Sequence, residues 1–172
     1  MRKAQAAAGS LIFLLLAPGV VVGLVPWWIT GWRSRQSFLD MIALRLLGGG
    51  LLVVGLAVLL HAFLRFVVEG LGTPAPVAPT ADLVVGGPYR FVRNPMYLAV
   101  LSTLIGQALL LGQVALLWYA AAVAFAQAAF VHLYEEPLLR SRFGHQYEEY
   151  RAAVPAWLPR FSPWRAGEVD QR

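Results

Sequence analysis

Apolar positions in this chain run in long unbroken stretches, and the charged positions fall in clusters between them. A hydrocarbon core is crossed by about 20 residues of uncharged helix, so the intervals between charges predict the elements. Between Lys3 and Arg33 the run from Ser10 to Thr30 is free of charge, and between Arg45 and Arg65 the one ionisable residue is His61. Each interval fits one span. From Arg93 to Glu135 there are 41 uncharged residues, too many for one helix and enough for two joined at Leu111-Gly112-Gln113. Four helices are expected, near 10–30, 44–66, 95–111 and 114–134.

Met1-Arg2-Lys3 ahead of the first run resembles a signal-peptide start. The small residues Ala6-Ala7-Ala8 precede the run, where no cleavage site belongs, and Trp27, Trp28 and Trp32 at its far end form an interfacial belt, so this helix is read as retained. Composition agrees with a membrane protein. Of 172 residues 59% are hydrophobic and 13% charged, about half the charge of a soluble domain, which disfavours soluble and disordered classes. The absence of cysteine excludes disulfide scaffolds, thiol catalysis and Cys-ligated metal centres.

The net charge of +5 fits a nucleic-acid partner or basic cytoplasmic loops, and the positions decide. With four spans, Arg2, Lys3, Arg65, Arg90, Arg93, Arg140, Arg142, Arg151, Arg160, Arg165 and Arg172 share one side, against Arg33, Arg35 and Arg45 on the other. Eleven against three places both termini in the cytoplasm. Basic residues spread along membrane flanks without a recognition motif give no nucleic-acid surface. The fold class is therefore an all-α integral membrane protein with four transmembrane helices and a cytoplasmic C-terminal amphipathic helix. The chain divides into two N-terminal helices (1–66), a cytoplasmic Pro-rich linker running into a polar motif (67–94), a helical hairpin (95–134), and an amphipathic helix with an interfacial tail (135–172). The linker Thr73-Pro74-Ala75-Pro76-Val77-Ala78-Pro79 reads as extended. In 135–154, Phe143, Tyr147, Tyr150 and Val154 recur at helical spacing, with Gly144 and Pro155 as punctuation.

Candidate chemistry gathers at the cytoplasmic ends. In Arg90-Phe91-Val92-Arg93-Asn94-Pro95-Met96-Tyr97, Asn94 suits an N-cap and Pro95 the first helical position. A helix start preceded by two arginines offers an anion site for a carboxylate. Glu135 and Glu136 end the fourth span, where paired acids meet an unfavourable helix dipole unless they bind something such as the ammonium or hydroxyls of a zwitterion. His132 with these two acids is too small a set for a metal site, so none is expected. His61 is read as a neutral histidine bonded to a neighbouring carbonyl, and Gly48-Gly49-Gly50 as close helix packing. No Ser-His-Asp set, P-loop or dinucleotide fingerprint occurs.

Three blocks, Gly87 to Tyr97 (GPYRFVRNPMY), the pair Glu135-Glu136, and Phe143 to Tyr150 (FGHQYEEY) with Val154-Pro155, resemble the isoprenylcysteine carboxyl methyltransferase family, whose wider group includes the phospholipid methyltransferases. The resemblance covers about residues 80–161. It implies an integral membrane methyltransferase using S-adenosyl-L-methionine, with Arg93, Pro95 and Tyr97 matching the family's Arg-His-Pro-x-Tyr segment and Glu135 and Glu136 its Glu pair. Asn94 stands where the family has His, and no arginine precedes the Glu pair, where Ala128-Ala129-Phe130-Val131-His132 is found. The implied cofactor set is Tyr89, Arg90, Arg93, Asn94, Pro95, Tyr97, Glu135 and Glu136, with a tyrosine facing the sulfonium. The implied partners are the lipid bilayer and an amphiphilic or lipidated acceptor with a carboxylate, amine or similar nucleophile. The reading from another class is a non-catalytic helical membrane subunit whose motifs are interfacial anchors.

Overall fold

The computed structural model describes residues 12–35, 41–68 and 82–165. The basic N-terminus, the Pro-rich linker 73–79 and the chain after 165 lie outside the described residues. Five helices follow the apolar runs: α1 Ile12–Thr30, α2 Ile42–Val68, α3 Pro95–Leu111, α4 Val114–Phe130 and α5 Glu136–Ala153. Among the described residues there is no strand. Three helices, Ile12–Thr30, Ile42–Arg65 and the one beginning at Val114, are long and apolar enough to cross a membrane, and α3 is a shorter apolar helix of 17 residues.

The expected break after residue 134 is absent. A π turn, Val131–Glu135, carries α4 into α5 as one helix of 40 residues, Val114–Ala153. The cause is local. Pro137 has no N–H for the carbonyl of Leu133, and the wider turn absorbs the mismatch without ending the helix. Glu135 and Glu136 thus sit inside a helix, where the terminal dipole invoked from sequence does not act. α5 bends instead at Gly144, whose φ of 49° and ψ of −122° no helix shares. Gly112, at φ 66°, ends α3 as expected, its N–H returning to the Ala108 carbonyl.

α2 and α3 approach most closely through glycine. A Cβ on Gly48 would stand 2.7 Å from the Gly106 carbonyl and the Leu110 amide, one on Gly106 2.7 Å from Leu52 N, and one on Gly55 2.6 Å from Thr103 Oγ1. Only the first member of the glycine triplet packs in this way, because Gly49 and Gly50 face open space. Gly48→Ala and Gly106→Ala should each lose about 1–3 kcal/mol by overpacking. Gly49→Ala should gain up to about 1 kcal/mol from helix propensity. Thermal unfolding in detergent reads both signs.

α1 carries two main-chain carbonyls that its own helix does not serve. Pro26 has no N–H for the Val22 carbonyl, and in the π turn Val20–Leu24 the Val25 N–H reaches Val20 O rather than Val21 O. Gln107 Nε2 of α3 donates to Val22 O at 2.7 Å, and the Tyr119 hydroxyl of α4 donates to Val21 O at 3.1 Å. At its far end α1 runs into Arg33, whose carbonyl accepts from Gln113 Nε2, and Arg35, whose N–H donates to the Leu111 carbonyl. The α3–α4 turn and the end of α1 therefore share one end of the bundle.

The opposite end is closed by the C-terminal segment. Tyr147, Tyr150, Val154 and Trp164 form a buried cluster against which Phe143 packs, so the spacing seen in the sequence does mark a buried face. The tail beyond it runs antiparallel to residues 90–94. Arg93 N–H donates to Pro155 O, Arg160 N–H to Phe91 O and Trp164 N–H to Arg90 O. The sequence places this tail at the interface. Leu158 and Phe161 are exposed, but Trp164 is buried and packs tilted against Tyr150, with ring centroids 5.3 Å apart.

Candidate active site

At that closed end α1 to α5 surround a cavity of about 300 Å³. One half of its lining is polar, with Arg93, Asn94, Tyr97, Glu135, Glu136, Tyr147 and Arg142. The other is mainly apolar, with Phe13, Ala17, Pro18 and Val21 of α1, Leu59 and Phe63 of α2, and Val100 of α3, and with Gln127 of α4 among them. Gln127 and Glu135 are eight residues apart on one helix, so the apolar half reaches about 12 Å below the carboxylate at 1.5 Å per residue.

The polar half is organised by Arg93. Its Nη1 donates to Glu136 Oε1 at 2.8 Å and to the Tyr147 hydroxyl at 3.0 Å, and its Nε donates to Val154 O at 3.0 Å. One guanidinium thus ties the segment before α3 to the start and middle of α5 and to the chain just beyond it. The Arg93 and Glu136 side chains are only 12% and 10% exposed, and His132 Nδ1 and Arg151 Nε approach the second Glu136 oxygen at 3.8 and 4.0 Å. Glu136 is surrounded by cationic and proton-bearing groups of its own chain.

Glu135 is different. One oxygen accepts the Tyr97 hydroxyl at 2.7 Å, and no cation pairs with it among the described ion pairs. Because the π turn widens the helix at this point, both adjacent glutamates line the cavity. Tyr97 also faces the Trp157 ring at 6.4 Å.

Seven of the eight residues singled out from sequence line the cavity, namely Tyr89, Arg93, Asn94, Pro95, Tyr97, Glu135 and Glu136. Arg90 does not. Its Nε donates to Trp164 O at 2.7 Å, so it holds the tail rather than an anion. Asn94 occupies the N-cap position without a side-chain capping bond, and its Nδ2 donates to Ala156 O at 3.1 Å. Tyr89 is buried, and its carbonyl accepts the Tyr150 hydroxyl at 2.6 Å. The arginine pair expected as a free anion site is thus engaged within the chain.

His61 stands against the Gly87 turn, where an added Cβ would meet His61 Nε2 at 2.8 Å. His132 is exposed, and no group of three metal-ligating side chains occurs among the described residues. The sequence reading missed Tyr147 as a partner of Arg93, and it missed the whole of α1 as a cavity wall. Tyr147 was visible as a face residue, but its hydroxyl partner is 54 residues away, which no local pattern reports.

A family model described as phospholipid methyltransferase matches residues 43–146. The matched segment contains α2, α3, α4 and the first part of α5, with Arg93, Tyr97, Glu135 and Glu136. Comparison with curated proteins and with solved structures gave no match.

Proposed function

The chain belongs to the phospholipid methyltransferase family, and we propose that it is an S-adenosyl-L-methionine-dependent enzyme that methylates a lipid-like acceptor at the cytoplasmic face of a membrane. That it is a multi-pass membrane methyltransferase follows from the family and from three apolar helices long enough to span. The cofactor, the acceptor and the roles of the residues are the proposal. The observation that carries it is a single cavity with a charged half beside an apolar half, set at the end of the helices.

The residues fit the cofactor's chemistry. Its ammonium and ribose hydroxyls want an acceptor without a cation of its own, and Glu135 is such a group. Tyr89 and Tyr97 supply ring faces and edges suited to a sulfonium. Asn94 and Pro95 bring the first turn of α3, with its unpaired amides, to the cavity edge. Arg93 is a positioning residue, since it fixes Glu136, Tyr147 and the tail around the site. Bound S-adenosylmethionine would supply an electrophilic methyl group that needs neither metal nor covalent enzyme intermediate. What the chain contributes is alignment and exclusion of water, the first through Glu135 and the tyrosines, the second through the cluster of Tyr147, Tyr150 and Trp164. The apolar half takes the aliphatic part of the acceptor, leaving its nucleophilic oxygen or nitrogen at the polar half.

We read α3 as a fourth span, since 17 residues lie at the lower limit for crossing. With the α3–α4 turn beside the end of α1, this puts the cavity and both termini on the more basic side. S-adenosylhomocysteine should bind the purified protein in calorimetry and raise its unfolding temperature. A folded sample that shows neither at saturating ligand would leave the non-catalytic membrane subunit as the reading.

A further inference from the structure

The apolar half of the cavity has one wall from before the matched family segment, and its attachment is specific. That half is lined by residues of α2, α3 and α4 that fall within 43–146, and by α1, which lies wholly before them. Only Pro18 and Pro26 of α1 are buried, and Ile12, Leu15, Leu16, Leu24, Trp27 and Trp28 are exposed. Its apolar surface gains little from neighbouring helices within hydrocarbon, where lipid is as apolar as leucine. Polar groups inside the apolar region are what can hold it in one place.

Two such bonds exist, and they meet the two carbonyls that Pro26 and the π turn release. Gln107 Nε2 takes Val22 O, and the Tyr119 hydroxyl takes Val21 O. An unserved carbonyl in hydrocarbon is costly, so each bond has an acceptor that cannot find water. They are also one residue apart and come from two different helices, which fixes both the height and the rotation of α1. That setting is what turns Val21, Pro18, Ala17 and Phe13 toward the cavity.

We propose that Gln107 and Tyr119 are positioning residues that seat α1 as a wall of the acceptor's aliphatic pocket, and thereby set which chain length the site accepts. The proposal rests on reading the apolar half as the acceptor's pocket, and its test is read without methyl transfer. Neither residue lines the cavity, so their effect on a ligand must pass through α1.

The chain has no cysteine, which makes Ala17→Cys a unique reporter on the inner face of α1. In dodecylmaltoside micelles, the reaction of Ala17→Cys with a maleimide should be slow with the clasp intact. It should be about threefold faster with Tyr119→Phe or Gln107→Met and about tenfold faster with both, from two average interhelical hydrogen bonds. Added 1-decanol and 1-octadecanol should protect the introduced thiol unequally in the Ala17→Cys protein and equally when both clasp residues are also replaced. A purely structural role would speed labelling but keep the inequality. Unchanged labelling, equal protection with the clasp intact, or an inequality that survives loss of both clasp residues would each overturn the proposal. Binding of S-adenosylhomocysteine by the same samples reports separately on the methyltransferase reading. Tyr119→Phe alone, which removes one oxygen, keeps the test usable where the protein lacking both clasp residues does not fold.

Discussion

Arg93→Ala is expected to be the most damaging single substitution in the chain, losing about 3–5 kcal/mol of stability by leaving the Glu136 carboxylate buried without its partner. The size follows from how much one guanidinium joins. Removing it releases Glu136, the Tyr147 hydroxyl and the Val154 carbonyl together, and these belong to the start of α5, its middle and the chain just beyond its end. Arg93→Lys restores a charge for Glu136 but not the planar fork that reaches three acceptors, so it should recover only part of the loss. Thermal unfolding measures this directly, and a cycle with Glu136→Gln locates it. If the 2.8 Å contact carries the energy, the double variant should be much less unstable than the two single losses added. Additive losses, or a folded Arg93→Ala protein with the wild-type melting temperature, would mean that the tail is not held in this way. Binding of S-adenosylhomocysteine should fall with stability in Arg93→Ala, because the walls around Glu135 come apart.

Helices and site differ in how far they were legible, and the reason is the range of the interactions that make each. Hydrophobic run length is a local property, and a bilayer admits few alternatives to a helix. Charge spacing therefore located α1 to α4 to within a few residues, including the turn at Gly112. The break placed after residue 134 failed because Glu135-Glu136 was read as a boundary, while the backbone there is governed by Pro137, which a π turn accommodates within a continuing helix. Seven of the eight motif residues line the cavity. Their roles depended on partners far along the chain. Arg90 and Arg93 have the chemistry of an anion site, but segment 154–164 supplies carbonyls and Glu136 a carboxylate that meet them first. The wall formed by α1 left a fainter trace. Gln107 and Tyr119 are two of several polar positions in an uncharged stretch of 41 residues, and Pro26 announces an orphan carbonyl, but only the folded arrangement puts donor and acceptor together.

The two glutamate pairs, Glu135-Glu136 and Glu148-Glu149, should separate cleanly in cofactor binding. Glu135 lines the cavity with Tyr97 as its hydrogen-bond donor, whereas Glu148 and Glu149 sit on the exposed side of α5, paired with Arg140, Arg151 and His145. Glu135→Gln keeps the size and one acceptor but removes the charge, so S-adenosylhomocysteine affinity should fall by about 1.5–3 kcal/mol, the value of a hydrogen bond to a charged group. Glu148→Gln and Glu149→Gln should stay within about 0.5 kcal/mol of the unaltered protein. Calorimetric titrations on the Glu135 and Glu148 variants decide the matter. Equal losses at both pairs would place the ammonium elsewhere than beside Glu135.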